Sequence, residues 1–337
     1  MDKKTFRFST ATVDYYFGGG FSKLKEVVDP KKTVLITDEN IYGHHTAKFK
    51  KWDTIVLKPG EQFKVQATVD TIIDQLIEMG ADRSTTLVGV GGGVITDLTG
   101  YVASIYMRGL SFGFVPTTLL ALVDASIGGK NGVDVGIYKN MAGTIRQPTF
   151  ILHDLVFLNT LPEVEWRSGF AEIIKHASIK DAAMFNLLEE NTIGSFQKKK
   201  KQACELIQRN ALIKTKVVLQ DEFEKGDRKM LNFGHTLGHA LENQYELTHG
   251  EAISIGMAYA ANLSQQITGF KQADRVVSLL DRYQLPTFAQ FNKDKVIDAL
   301  SKDKKKVKDS IQFILLQKIG KAVIQPIPID QIYQSLS

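Results

Sequence analysis

The stretch Val88-Gly89-Val90-Gly91-Gly92-Gly93-Val94-Ile95-Thr96-Asp97 reads as a strand, a glycine turn and a helix start. Glycines let a backbone come close to a ligand. The helix start then presents free N–H groups and a positive dipole end to a phosphate. The dinucleotide-binding fingerprint has a further glycine where Val94 stands. The turn also follows about the third strand of this chain, not the first. A tight structural turn and a phosphate cradle are therefore both compatible with this stretch alone.

The flanking segments carry the same alternation. Val34-Leu35-Ile36-Thr37 is a short apolar run ending in Asp38-Glu39-Asn40, and Thr54-Ile55-Val56-Leu57 ends at Pro59-Gly60. Val69, Ile72, Ile73, Leu76 and Ile77 recur at helical spacing, and the pattern closes at Gly80. Thr86 to Val90 and Phe112 to Pro116 read as further strands. Strands alternating with helices predict an α/β fold with a parallel sheet covered on both faces. Ligands of such sheets bind at the carboxyl ends of the strands. Asp38 and Asn40, the loop from Gly60 to Lys64, the glycine turn and the pair Thr117-Thr118 all stand at such ends.

Beyond Leu161-Pro162 long helical patterns take over, at residues 163–180, 182–190, 198–219, 229–245 and 250–268. Residues 310–316 and 322–324 predict a hairpin around Gly320. With 337 residues the chain exceeds the size at which one core stops growing. The expected division is residues 1–158, a Rossmann-like domain, and residues 159–337, a mostly helical one.

Composition is that of an ordinary globular protein, 43% apolar and 23% charged. The single Cys204 excludes an internal disulfide and suits a reducing compartment. The first residues, Met1-Asp2-Lys3-Lys4, lack the features of a secretory signal, and no apolar run is long enough to span a bilayer. These features predict a soluble cytoplasmic protein with no membrane partner. The net charge is +5. Lys198 to Lys201 and the cluster at Lys304, Lys305, Lys306 and Lys308 contribute much of it. Neither run is interleaved with aromatics or set in a groove-reading motif, so no nucleic acid partner is expected. An anionic small substrate also favours such a surface, through electrostatic steering.

Residues Asn232 to Gly250 hold three of the seven histidines, His235, His239 and His249. His235 and His239 stand at i and i+4, one above the other on a helix. Spacing alone nominates these two as metal ligands, with His249 as a spare; a packed helix face explains the same spacing. Glu172, Lys175 and His176 share one face of a predicted amphipathic helix. Either an exposed ion pair or a metal ligand beside a substrate-binding cation accounts for them. Lys130 and Lys139 lie among small residues, in what reads as an anion-binding or merely surface loop.

Five blocks resemble the 3-dehydroquinate synthases of the sugar-phosphate cyclase superfamily. They are G-G-G-V-I-T-D-L-T-G-Y-V-A-S-x-Y-M-R-G from Gly91, P-T-T-L-L-A-L-V-D-A-S-I-G-G-K from Pro116, G-F-A-E-I-I-K from Gly169, N-F-G-H-T-L-G-H-A from Asn232 and H-G-E-A-I-S-I-G-M from His249. Their order and spacing match the family's over nearly the whole chain. The resemblance implies an NAD-binding Rossmann-like domain, a helical metal-binding domain and a homodimer. It implies conversion of 3-deoxy-D-arabino-heptulosonate 7-phosphate to 3-dehydroquinate and phosphate. NAD is reduced and reoxidised within one turnover, beside one divalent metal, zinc or cobalt.

Carried over residue by residue, the resemblance makes Glu172, His235 and His249 the metal ligands. His239 then lies close by, on the phosphate side, against the choice that spacing alone makes. The positions resembling NAD contacts are Asp38, Asn40, Gly60, Glu61, Gln62, Phe63, Lys64, Gly93, Val94, Ile95, Thr96, Asp97, Thr117, Thr118, Lys130, Lys139, Phe157, Leu158, Asn159 and Thr160. Those resembling substrate contacts are Asp124, Lys130, Asn140, Lys175, Lys214, Glu224, Arg228, Asn232 and His239. Arg108 resembles an arginine that reaches the partner subunit's site. A lysine of Asp303-Lys304-Lys305 is a further expected substrate contact.

The chain departs from the family pattern at Thr96, often glycine there, and at Asn131-Gly132, often Thr-Ala. The span from His239 to His249 is also short. Altered loop packing is expected from these changes rather than altered chemistry. Three rival functions differ in what they predict. A cyclase for a sugar phosphate without a carboxylate leaves Arg228, Asn232 and Lys304-Lys305 unexplained. A metal-dependent polyol dehydrogenase of the same fold forms NADH and no phosphate. A non-catalytic nucleotide- or nucleic-acid-binding protein shows salt-sensitive binding and no turnover.

Overall fold

The structure, a computed structural model, describes residues 1–336 apart from 137, 243, 302–305 and 308–309, and leaves the side chains of 301, 306 and 307 aside. Nine strands build its first part. They are β1 (Asp2–Arg7), β2 (Thr12–Phe17), β3 (Thr33–Asp38), β4 (Asp53–Leu57), β5 (Thr86–Gly91), β6 (Ser111–Pro116), β7 (Lys130–Val135), β8 (Tyr138–Ile145) and β9 (Phe150–Leu152). Seven form one sheet in the order β1-β2-β9-β6-β5-β3-β4. All neighbours run parallel except β1 and β2, which form an antiparallel hairpin at the edge. Central strands β3 and β5 are buried along almost their whole length, which is why they read as unbroken apolar runs rather than alternating ones.

The glycine turn joins a strand to a helix, as its sequence predicts. Helix Gly93–Ile105 starts directly after β5, and its N-cap Gly92 supplies no side-chain cap to the first-turn N–H groups. Ile95, Leu98, Val102 and Ala103 of this helix join a core with Val34, Ile36, Leu87 and Phe112. The segment expected to be a lysine-rich loop is instead the β7–β8 hairpin. Asn131 donates hydrogen bonds to the carbonyls of Gly129 (2.8 Å) and Arg146 (3.0 Å). Its side chain lies over Gly100, where any Cβ would collide with it. Gly132 is pressed on the Ala142 carbonyl, 2.5 Å from where its Cβ would be. The Asn131-Gly132 departure is thus absorbed by packing between hairpin and helix.

The chain forms two compact units, Met1–Glu165 with Cys204–Phe223, and Trp166–Ala203 with Glu224–Ser337. This differs from a single cut between 158 and 159, because residues 204–223 return to the first unit. Ala211 belongs to that unit's apolar core, and the Thr215 hydroxyl donates to the buried Tyr15 hydroxyl at 3.1 Å.

Helix Glu163–Lys180, most of it in the second unit, is buried beyond what an amphipathic helix predicts, which excludes the exposed-ion-pair reading of Glu172 and Lys175. Trp166 and the run Ser168 to Ile179 are all buried. The pattern at 229–245 is not one helix. A 3-10 turn, Asp227–Asn232, precedes helix His235–Glu242, and Gly234 between them has φ +80°. The break has a packing cause. Gly234 passes so close to Gly256 of helix His249–Thr268 that a Cβ on Gly256 would meet the Gly234 carbonyl oxygen. That close approach brings the start of one helix against the other. The pattern at 198–219 does form one helix, Lys200–Gln220, preceded by a separate short helix, Ile193–Lys198. The C-terminal hairpin forms as expected from strands Ser310–Lys318 and Lys321–Pro328, with Gly320 at φ +83°. Among the described residues no helix is long and apolar enough to cross a membrane.

Candidate metal and nucleotide sites

Three side chains of the second unit converge. Glu172 lies mid-helix in Glu163–Lys180, His235 starts its helix at the Gly234 break, and His249 starts helix His249–Thr268. One donor atom from each lies within 4.8 Å of the other two. His235 Nε2 is 3.4 Å and His249 Nε2 3.3 Å from Glu172 Oε1. Ligand atoms at tetrahedral corners about 2.0 Å from one ion stand roughly 3.3 Å apart. His239 is outside this group, its ring centroid 5.1 Å from that of His235 and 6.5 Å from that of His249.

The outer contacts fix the imidazoles for ligation. His235 Nδ1 lies 3.1 Å from the Phe233 carbonyl oxygen, which can only accept, so Nδ1 carries the proton. Nε2 is then a bare lone pair facing a carboxylate oxygen. Burial, with the Lys175 ammonium nearby, holds the His235 pKa well below the usual imidazole range, so no second proton relieves that opposition. A lone pair facing a carboxylate oxygen is an arrangement that a divalent cation between them would satisfy. His249 Nδ1 is 3.4 Å from Glu242 Oε2. Burial works against its charged form, yet hydrogen bonds to Glu172 and Glu242 outweigh that and raise its pKa to about 10. The same negative field favours a metal ion in place of the proton. Glu242 is not evident from the sequence as a partner of His249, because it ends one helix and His249 starts the next, so no single helix relates them.

Other expected residues of this unit cluster less tightly. Lys175 is buried and ion-paired with the second oxygen of Glu172. Arg228 is buried in the 3-10 turn. Asn232 donates to Glu224 Oε1 at 2.8 Å, and Glu224 is held at φ +57°. Asp303, Lys304 and Lys305 lie outside the described residues.

The first unit gathers the positions expected to hold a nucleotide. Asp38 and Asn40 follow β3, Gly60 to Lys64 follow β4, Gly93 to Asp97 follow β5, and Thr117 and Thr118 follow β6. These are carboxyl ends of four adjacent parallel strands. Asp38 also caps the next helix, accepting from Ile41 N at 3.0 Å. Thr117 is buried, and its hydroxyl has no hydrogen-bond partner among the described residues. Glu61, Gln62 and Phe63 form a 3-10 turn, and the buried Lys64 beside it bonds Asp97 (2.5 Å) and Asn140 (2.6 Å). Burial opposes its charge, but Asp97 and Glu61 together raise the Lys64 pKa. Phe157, Leu158, Asn159 and Thr160 sit in the 3-10 segment Leu155–Thr160, where Thr160 meets His45 at 3.0 Å. Lys214 is held by Asp124, at 2.9 Å to its carboxylate and 2.8 Å to its carbonyl. Lys130 and Lys139 lie on β7 and β8, and Arg108 is exposed with φ +68°.

The family model for the N-terminal part of 3-dehydroquinate synthase matches residues 54–168, and that for the C-terminal part matches residues 169–306. A 3-dehydroquinate synthase of Campylobacter curvus (strain 525.92) is 39% identical over 323 residues, 92% of either chain. The chain belongs to the 3-dehydroquinate synthase family. Its fold also matches more distant solved structures. A 2-epi-5-epi-valiolone synthase from Streptomyces hygroscopicus subsp. jinggangensis 5008, with NAD+ and Zn2+ bound, is 26% identical with a TM-score of 0.88, covering 100% of this chain and 98% of its own. A 2-deoxy-scyllo-inosose synthase complexed with carbaglucose-6-phosphate, NAD+ and Co2+ is 26% identical with a TM-score of 0.86, covering 99% and 98%. As a 3-dehydroquinate synthase family member, the chain thus shares its architecture with enzymes that bind a dinucleotide and a divalent metal together.

Proposed function

We propose that the chain converts 3-deoxy-D-arabino-heptulosonate 7-phosphate to 3-dehydroquinate and inorganic phosphate, in the shikimate route to aromatic amino acids. The observation that carries the reading is the Glu172, His235 and His249 convergence in a chain 39% identical to a 3-dehydroquinate synthase. In this reading those three residues hold one zinc or cobalt ion, and the strand ends of the first unit hold NAD. A bound ion would supply Lewis acidity to a substrate hydroxyl, and bound NAD would supply reversible hydride transfer. Glu242 and the Phe233 carbonyl keep both imidazoles aimed. Lys175 offsets the Glu172 charge. Lys130, Lys214 and Arg228 neutralise the phosphate and carboxylate of the substrate, with Asp124, Asn140, Glu224, Asn232 and His239 orienting its hydroxyls. The oxidised substrate has an acidified neighbouring C–H, so phosphate leaves; its departing oxygens are a sufficient base. Ring opening and intramolecular aldol closure follow, and holding the flexible intermediate in place speeds the closure.

The test is incubation of purified protein with the heptulosonate phosphate and catalytic NAD, with and without a chelator. Phosphate should appear without net NADH, and the chelator should stop it. Glu172→Gln should cut this release on the order of a thousandfold while leaving far-ultraviolet circular dichroism unchanged. Net NADH from a simple polyol would favour the dehydrogenase instead. Turnover restricted to sugar phosphates lacking a carboxylate would favour another cyclase.

The proposal places the enzyme in the cytoplasm, on its lone Cys204, and makes it a homodimer in which Arg108 reaches the partner's site. Exposed Ile105, Met107, Tyr138, Met141 and Ile145 near Arg108 and on the hairpin support this apolar contact. Sedimentation as a 37.5 kDa particle would overturn it.

A further inference from the structure

Three segments remote in sequence meet at one carboxylate of the first unit. Glu222 Oε2 accepts from the Ser9 N–H (2.9 Å) and the Ser9 hydroxyl (2.5 Å). Its other oxygen, Oε1, accepts from Gln147 Nε2 at 3.0 Å. Gln147 is only 4% exposed. It lies directly against the turn that leads into Lys130. A Cβ on Gly129 would stand 2.9 Å from the Gln147 carboxamide. Gly128 and Gly129 both occupy left-handed backbone, at φ +105° and +73°. The Gly129 carbonyl accepts from Arg146 N–H (2.8 Å) and from Asn131 Nδ2 (2.8 Å). The peptide before Lys130 therefore rests on Gln147 on one side and is tied to the neighbouring strand on the other.

We propose that Glu222 is a positioning residue for Lys130. By holding Gln147 and the Ser9 turn together, it fixes the Gly128-Gly129 turn and so the point from which the Lys130 ammonium meets an anionic substrate. Charge-assisted bonds to both carboxylate oxygens make it a stiff anchor. The proposal rests on the reading of Lys130 as a substrate-binding cation, and it adds a residue about ninety positions away in the chain that no sequence block pointed to. A glutamine at 222 keeps one acceptor but turns an NH2 toward Ser9 or Gln147, both of which are donors there, so it should restore only part of the effect.

The experiment has two arms. In the first, hydrogen exchange is followed at the Arg146 amide, which is bonded to the Gly129 carbonyl, and across residues 126–132. Glu222→Ala should speed it by about tenfold or more there. In the second, kcat/KM for phosphate release is measured in a double-mutant cycle. Glu222→Ala should lower it by about tenfold alone but by less than about twofold in a Lys130→Ala background. Equal losses in both backgrounds, or unchanged exchange at the turn, would overturn the proposal. A merely structural role would give equal losses together with exchange raised across the whole unit. Should Glu222→Ala not fold, Glu222→Gln carries the same cycle with smaller changes. If the wild-type protein releases no phosphate, the functional reading fails, while the exchange arm still decides whether Glu222 holds the turn.

Discussion

At the residue scale, the metal-binding reading depends on contacts one step behind the ligands. Glu242 is the clearest case. Its carboxylate faces His249 Nδ1 and so directs Nε2 toward Glu172. Glu242→Ala should weaken metal binding roughly ten- to hundredfold without removing a ligand. Competition against a chromogenic chelator measures it, and an unchanged affinity would show that Glu242 does not orient His249. A second residue governs acid stability. His153 is 3% exposed, and burial lowers its pKa to about 4. The unfolded chain takes up that proton near pH ~6.5. Stability is therefore intact above that pH and erodes as the pH falls toward about 4, by about 3 kcal/mol in all. His153→Phe, set among Tyr15 and Phe17, should flatten the dependence. Identical urea midpoints against pH for both proteins would contradict this.

At the element scale, the site hangs on the start of one helix packing against the second turn of another. Gly256 must lack a Cβ for helix His249–Thr268 to run against Gly234. Gly256→Ala forces backbone apart, and should cost about 3 kcal/mol or more together with loss of metal affinity. Thermal melts and a metal titration of one variant test both. Much of this scale was legible in sequence. The central strands and the glycine turn announced themselves, because strands buried on both faces leave uninterrupted apolar runs. The break at Gly234 did not, because the 229–245 pattern is apolar at helical spacing on both sides of it. Helix Glu163–Lys180 forms where its periodicity predicts, but the periodicity does not show that its charged face is buried around Glu172, Lys175 and His176. Spacing paired His235 with His239, neighbours on one helix. The structure groups His235 with Glu172 and His249 instead, across three helices, and only the family resemblance anticipated that grouping. The edge hairpin of β1 and β2 and the short β9 went unread, being too short or too polar for periodicity to register.

At the scale of the whole molecule, the two units are not consecutive pieces of chain. Residues 204–223 leave the helical unit and complete the first one. A fragment ending at Glu165 lacks Ala211 and the Thr215 hydroxyl that meets Tyr15. It should unfold without a cooperative transition, whereas the same fragment joined by a short linker to residues 204–223 should recover one. Two-state urea unfolding of the shorter fragment would show that the returning segment is dispensable.

The returning segment also sets an order of events during synthesis. The seven-stranded sheet is translated by residue 152, yet it cannot close its core until some seventy more residues have left the ribosome. Through that interval the nascent chain carries an unfinished apolar face around Tyr15, which makes this stretch of translation the time when a holding chaperone would matter most.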